Sequence, residues 1–405
     1  MQILVLDTIH GGMEIGKAYQ NAGHSVDIVD VYHGTTPDLV SAAKTKTYDL
    51  VISPVHLDPD HPLRSQWRVP VITHHEAVRQ VLAENLPRPF IEITGARGKT
   101  TTAHALAHLL FGKGVLHTST GTYSYPAKTL LWKKSITPAS ILPAARYANA
   151  MPGWLVAEES LGVTGAGDLA IITSSEDYRF AGGRKCAVRA KIASAAHAKR
   201  ILVADRIFCN YEQVVHIEDV ARCNGMECTV GVDGMKFILK NPLFLLPPYR
   251  MPLMLAAAAA MLLHVNPTPL NHFTALPGRM SVSHEKDLIV VDNANSGTNV
   301  ATTLCASRYA RHCAGITDIT LVIGQAEGDG AVCEGFTPDQ IAFAIEKIVP
   351  RHVIWVGKLP EYGTDAYRSV DGRIDAVCTT LEEGKETALK KTDKGSIVLS
   401  VKTWR

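Results

Sequence analysis

The chain has 405 residues, long enough for two or three domains with cores of their own. Its 41 Lys and Arg nearly cancel its 39 Asp and Glu. The two signs are interspersed, which argues against a nucleic-acid or membrane-surface binder and points to a small-molecule partner. The longest apolar run, Met254 to Val265, falls short of the roughly 18 to 20 residues that span a bilayer and reads as a buried helix.

Met1 leads directly into the strand-like run QILVLD, without the basic, apolar and cleavage segments of a secretory leader, so a cytoplasmic protein is expected. In chain order, QILVLD, SVDIVDV, DLVISP, PVIT, FIEITG, WLVAEES, LAIITS, RILVAD, LIVVDN, ITLVIG, HVIWVG and SIVLSV are apolar runs alternating with helical patterns. That is how parallel strands covered on both faces by crossover helices read, and the class is α/β. Proline-bearing joints at Asn85 to Pro89 and Leu276 to Gly278 suggest three domains, 1–88, 89–277 and 278–405.

The first strand is followed by His10, Gly11 and Gly12, where an open α/β sheet meets its ligand, so these are candidate substrate contacts. Six further histidines follow in this domain, His24, His33, His56, His61, His74 and His75. Without a spacing that forces convergence, they read as surface or packing residues. The cysteines Cys186, Cys209, Cys223, Cys228, Cys305, Cys313, Cys333 and Cys378 show no CxxC pair and read as reduced, mostly buried thiols.

The sharpest signal is IEITGARGKTTT, Ile91 to Thr102, an apolar strand that meets a glycine turn and opens a helix. Gly95 and Gly98 admit backbone conformations closed to other residues, so the N–H groups of Gly95, Ala96, Arg97 and Gly98 can approach phosphate oxygens. The helix N-terminus adds a partial positive charge. Lys99 can neutralise the β and γ phosphates of ATP, and the hydroxyl of Thr100 or Thr101 can sit on magnesium. The usual phosphate loop has its first glycine where this chain has Ile93, so the loop is a shortened one. Four residues apart on the following helix, His104 and His108 have zinc-binding spacing, but with no third ligand indicated they read as ordinary helix residues.

The shortened loop resembles that of the Mur ligases and folylpolyglutamate synthetases, with Ala96 and Arg97 in place of the usual Thr and Asn. Four further elements match in order: Glu158 and Ser160 in LVAEES, Lys191 in VRAKIASAAHAKRILVAD, Arg279 in LPGRM, and Asp292 in VVDNANSGTNV. The resemblance covers about Phe90 to Arg405. It implies a Rossmann-like N-terminal domain that holds the substrate, a central P-loop ATPase domain and a Rossmann-like C-terminal domain.

It also implies that Glu158 binds a second magnesium, that Lys191 is carbamylated, and that Arg279 and Asp292 approach the nucleotide. The chain departs from the family where Tyr178 replaces an expected histidine and where the HNxxN element is missing, with Arg250 as a candidate substitute.

The size, the LDTIHGG start and the altered central motifs resemble the branch that acts on a nickel tetrapyrrole carboxylate. That branch implies activation of a propionate as an acyl phosphate, with one or two magnesium ions, and closure of a carbocyclic ring. Arg184, Lys185 and Arg189 could meet a polycarboxylate, although such a cluster is more often a solvated helix face.

Three alternatives stay open: an amide-forming ligase, a nucleotide-regulated binding protein, and a dinucleotide redox enzyme. The last lacks a GxGxxG after an early strand. The sequence leaves the oligomeric state open.

Overall fold

The expected apolar runs form strands, and each lies in a mostly parallel sheet because both of its faces are covered. The computed structural model describes residues 1–403 apart from 35, 67, 84, 296, 316, 327–335, 360–363, 365–367, 369 and 371. The chain divides into two compact units, residues 1–245 with 249–273, and residues 246–248 with 274–405.

The first unit opens with a four-stranded parallel sheet, in the order β2 (Ser25–Val29), β1 (Gln2–Leu6), β3 (Leu50–Ser53), β4 (Val71–Thr73). Next comes an eight-stranded sheet. Its parallel part runs β14 (Val214–His216), β13 (Arg200–Val203), β10 (Leu169–Ile172), β5 (Phe90–Thr94), β9 (Trp154–Glu158), β6 (Gly114–Thr118). Its edge continues antiparallel through β7 (Gly121–Tyr125) and β8 (Thr129–Trp132). The two sheets share apolar packing: Ile3, Val5, Ile52 and Val78 from the first segment join Phe90, Val115, Ile141 and Leu155 in one buried cluster.

The unit also holds a short hairpin, β11 (Arg179–Phe180) with β12 (Lys185–Cys186), and an antiparallel meander, β15 (Ala221–Asn224), β16 (Glu227–Val232), β17 (Met235–Lys240). The alanine-rich run is a helix, Pro247–Leu262, and Leu253 to Leu262 are buried throughout. Among the described residues no helix is long and apolar enough to cross a membrane.

The second unit is one six-stranded sheet in the order β18 (Ser281–Glu285), β19 (Leu288–Asp292), β23 (Ser396–Lys402), β20 (Ile319–Gln325), β21 (His352–Val356), β22 (Ala376–Cys378). Only the β18–β19 pair is antiparallel. Its core includes Leu288, Val290, Val322, Ile354 and Ile397.

Candidate active site

The phosphate loop joins β5 to the helix Lys99–Leu109. Gly95 has φ +153°, and a Cβ there would lie 2.0 Å from the Thr173 hydroxyl oxygen; Gly98 caps the helix at φ +84°, and a Cβ there would lie 3.2 Å from Pro252 Cγ. Both positions therefore exclude a side chain for local reasons. The Ser174 hydroxyl accepts from the amides of Ala96 at 2.9 Å and Arg97 at 3.3 Å, and Lys99 Nζ donates to the Gly95 carbonyl at 3.1 Å. Arg97 itself pairs with Glu176 at 3.2 Å.

Glu158 ends β9 directly beside the loop, paired in register with Ile93. Its carboxylate accepts from Thr100 Oγ1 at 2.9 Å and from the Ser119 amide at 3.1 Å, and Lys99 Nζ lies 3.8 Å away. Thr101 is buried in the next position. Of the two threonines, Thr100 is thus the one joined to the acidic group.

Glu159, the next residue, turns the other way, as alternation along a strand requires. It is fully buried, and its carboxyl group faces that of Glu92. Burial, followed by the charge of Glu92, pushes its pKa well above the usual carboxylate range. Glu92 is also raised by burial, in spite of accepting from Thr164 and from the amides of Gly165 and Gly167.

Lys191 lies on the helix Ala187–Ala195, is completely buried, and has no hydrogen-bond partner for Nζ. Its ammonium group sits 5.0 Å from the centroid of the Tyr178 ring. Burial, then the positive charge of Lys99, lowers its pKa to about 8, against the weaker pull of Asp177 and Glu176. An orphaned, desolvated amine beside cationic Lys99 is a costly arrangement for a plain lysine. A carboxylated amine would remove that cost, so the residues fit both a carbamate and a magnesium ion next to Thr100 and Glu158.

The C-terminal ends of β1 to β4 bring together Asp7, His10, Tyr32, His56 and His74. Buried Asp7 accepts from the amides of Ile9 at 2.8 Å and His10 at 2.7 Å, and from His10 Nδ1 at 3.3 Å; His74 Nδ1 is 4.0 Å away. Burial would raise Asp7, but these partners hold its carboxyl below the usual range. Burial lowers His56 to about 4 and His74 to about 3, so both are neutral near pH 7.

Gly11, at φ +98°, and Gly12 begin the helix that follows. A Cβ on Gly11 would meet Ala139, and one on Gly12 the Asp7 carbonyl. Three of the histidines expected to be surface or packing residues, His56, His74 and His75, thus line or adjoin this cluster.

Of the basic trio, Arg184 pairs with Asp60 at 2.8 Å and Lys185 donates to the Val55 carbonyl at 2.8 Å, while Arg189 is exposed. In the second unit, Asp292 ends β19 opposite Ser281, its carboxylate accepting from the Ala294 amide at 3.0 Å. Asn295 donates to the Gly278 carbonyl at 2.6 Å, so the segment bearing Arg279 and the loop after Asp292 are joined.

His108 hydrogen-bonds the Pro269 carbonyl and His104 the Thr120 hydroxyl, which gives each a local role. Arg250 donates to the Phe244 carbonyl at 2.8 Å. Cys186, Cys209, Cys223, Cys228, Cys305 and Cys378 are free thiols; the side chains of Cys313 and Cys333 lie outside the described residues.

Sequence reasoning missed Ser119, Ser174, Thr173, Asp7 and Tyr32. The only available signal was position: each lies just beyond the C-terminal end of an apolar run or strand, where parallel sheets present their ligand-binding edge.

The crystal structure of UDP-N-acetylmuramate-alanine ligase MurC from Thermotoga maritima is similar over 99% of this chain and 95% of that one, with a TM-score of 0.52 and 15% identity. The fold is that of the three-domain Mur ligases. A family model described as coenzyme F430 synthetase CfbE, C-terminal domain, matches residues 282–403. Coenzyme F(430) synthetase of Methanosarcina acetivorans is 30% identical over 481 aligned residues, covering 100% of this chain and 99% of that protein. Its namesake from Methanocaldococcus jannaschii is 27% identical over 265 residues, 60% of this chain and 59% of that protein. The chain belongs to the coenzyme F(430) synthetase family.

Proposed function

We propose that this ATP-dependent ligase activates a propionate of 15,17(3)-seco-F(430)-17(3)-acid and closes the carbocyclic ring to give coenzyme F(430). The observation that supports the reading is the contact of Thr100 and Lys99 with Glu158 beside the phosphate loop, together with a buried, unpaired Lys191 that feels the charge of Lys99, in a chain of this family.

A carboxylate is a poor electrophile, so its oxygen first attacks the γ phosphorus of ATP and ADP departs. The loop amides, the helix N-terminus and Lys99 stabilise the charge that builds on the transferring group. One or two magnesium ions, held by Thr100, Glu158 and the carbamate of Lys191, would neutralise the phosphate oxygens. The lowered pKa of Lys191 leaves part of it as free amine near neutrality; its lone pair attacks carbon dioxide and a proton is lost, giving the carbamate. Arg279 and Asp292 are assigned to the nucleotide, and His10, Gly11, Gly12, Arg184, Lys185 and Arg189 to the side that receives the tetrapyrrole.

The test is phosphate release from ATP and magnesium by the purified protein, with and without the seco-acid, together with mass analysis of the tetrapyrrole. Loss of one water from the tetrapyrrole, coupled to phosphate release and abolished by Lys99→Ala, is expected. Turnover only when an amine is supplied with a carboxylate would replace this reading with an amide-forming ligase.

A further inference from the structure

The ring closure leaves one chemical demand unmet by the phosphate loop and the Glu158 site. Joining an acyl phosphate to carbon requires that carbon to lose a proton, and the side chains around ATP are committed to charge and metal. We infer that His10, oriented by Asp7, is the general base that takes this proton; the inference rests on the ring-closing reading above.

Position and hydrogen bonding both support the assignment. Asp7 is completely buried and is pinned by the amides of Ile9 and His10. His10 Nδ1 faces its carboxylate at 3.3 Å, which favours the tautomer with the proton on Nδ1 and leaves Nε2 as the acceptor. The His10 side chain is 40% exposed, and no described side chain occupies Nε2. Its ring is held edge-on by Tyr32 and His56, with centroids 5.2 Å and 4.6 Å away, and those two rings stack on each other at 5.5 Å. The dyad is therefore seated against two aromatic rings and has an open nitrogen.

The same loops carry buried polar atoms without protein partners: Tyr32 Oη, His61 Nδ1 and His74 Nε2. Such atoms are rare in folded proteins unless a ligand or water satisfies them. Tyr32 and His74 both lie beside Asp7, so the ligand-binding edge of the first sheet offers polar atoms that a polar molecule could satisfy.

The cluster is also tied to both elements proposed to hold magnesium. On one side, the Gly11 backbone packs on Ala139, the Ile136 carbonyl accepts from the Ser160 amide, and the Ser160 carbonyl accepts from His75 Nε2. Ser160 lies two residues beyond Glu158. On the other side, Lys185 and Arg184 hold the Val55 to Asp60 loop, next to His56, and lead into the helix of Lys191. A substrate that reaches from the phosphate loop to the first sheet thus meets His10.

In the proposed step, His10 Nε2 removes the proton from the reacting carbon, and the C–H electron pair becomes the new C–C bond to the acyl carbonyl. The carbonyl C–O bond to phosphate breaks, inorganic phosphate leaves, and imidazolium later releases its proton to water. No oxidant or reductant is needed.

The experiment is a single-turnover reaction of the full chain with ATP, magnesium and the seco-acid, run in parallel for wild type, His10→Gln and Asp7→Asn. ADP and hydroxylamine-trapped acyl hydroxamate report activation, and the ring-closed tetrapyrrole reports carbon attack. For His10→Gln, ring closure is expected to fall about 100-fold or more while hydroxamate accumulates; Asp7→Asn should slow the same step less.

Ring closure at the wild-type rate in His10→Gln, or an equal fall of ADP and closed product, would overturn the assignment. If wild type itself trapped hydroxamate but never closed the ring, the ring-closing reading would fail instead, and the two failures are told apart by the enzyme in which they occur.

Discussion

Glu158 and Glu159 stand side by side in sequence and have opposite tasks. The first faces Thr100, Ser119 and Lys99; the second is buried against Glu92. Glu158→Gln is expected to lower ligase turnover by roughly 100-fold or more, as removal of a preorganised electrostatic group does, with the fold intact by circular dichroism. Glu159→Gln should leave turnover within a few-fold and alter stability instead. Lys191→Ala is expected to abolish turnover, and intact-protein mass measured without acid should show wild type heavier by one carbon dioxide and the variant not.

The sequence separated the two glutamates by motif spacing alone; the physical reason, that adjacent strand residues point to opposite faces, needed the register of β9 against β5. The carbamate on Lys191 was legible only through family resemblance, because no spacing rule reports that a lysine is fully buried and unpaired. Asp7 and Tyr32 were marked by position alone, since their significance comes from loops that meet only after four strands have paired.

At the scale of elements, the helix His74–Leu82 sets the position of His74 and His75. It begins with a capping box in which Thr73 accepts from the Glu76 amide at 3.1 Å and Glu76 accepts from the Thr73 amide at 2.6 Å. Thr73→Ala should cost about 1 kcal/mol of stability in a denaturant titration, and it should weaken the seat of the histidine cluster more than ATP binding. The central strands were plain in the sequence because continuous burial of both faces leaves long apolar runs. The strands β7, β8, β14 to β18 and β22 were not, because they lie at or next to an edge or in a meander and carry polar or exposed side chains among the apolar ones.

At the scale of the whole molecule, buried titratable groups set opposing dependences on pH. Burial lowers His74 to about 3 and His75 and His117 to about 4. The unfolded chain therefore takes up protons below about pH 6.5 that the folded chain refuses, and each such histidine removes up to about 1.4 kcal/mol of stability per pH unit.

Glu159 works in the other direction. Its raised pKa means that its contribution is complete below the ordinary glutamate value of 4.5 and is lost as pH rises through its folded pKa. Thermal unfolding should show stability climbing toward about pH 6.5 in wild type, less steeply than the histidines alone would give, because Glu159 opposes them above the ordinary glutamate value of 4.5. In Glu159→Gln that climb should be steeper; an identical slope in both proteins would show that Glu159 is ionised in the folded state.

The two sheets of the first unit are stitched by particular pairs: Gly11 on Ala139, His75 on Ser160, Lys185 on Val55, and Arg184 on Asp60. This has a consequence for inheritance. A modular ligase could change its substrate by recombination, exchanging one N-terminal segment for another at the Asn85 to Pro89 joint. Here an incoming segment would also have to present a glycine where Ala139 packs, a histidine for the Ser160 carbonyl and an acid for Arg184. New specificity in this lineage is therefore expected to come from point changes within a co-inherited pair of segments, and grafted chimeras should regain activity only when those matching positions travel with the graft.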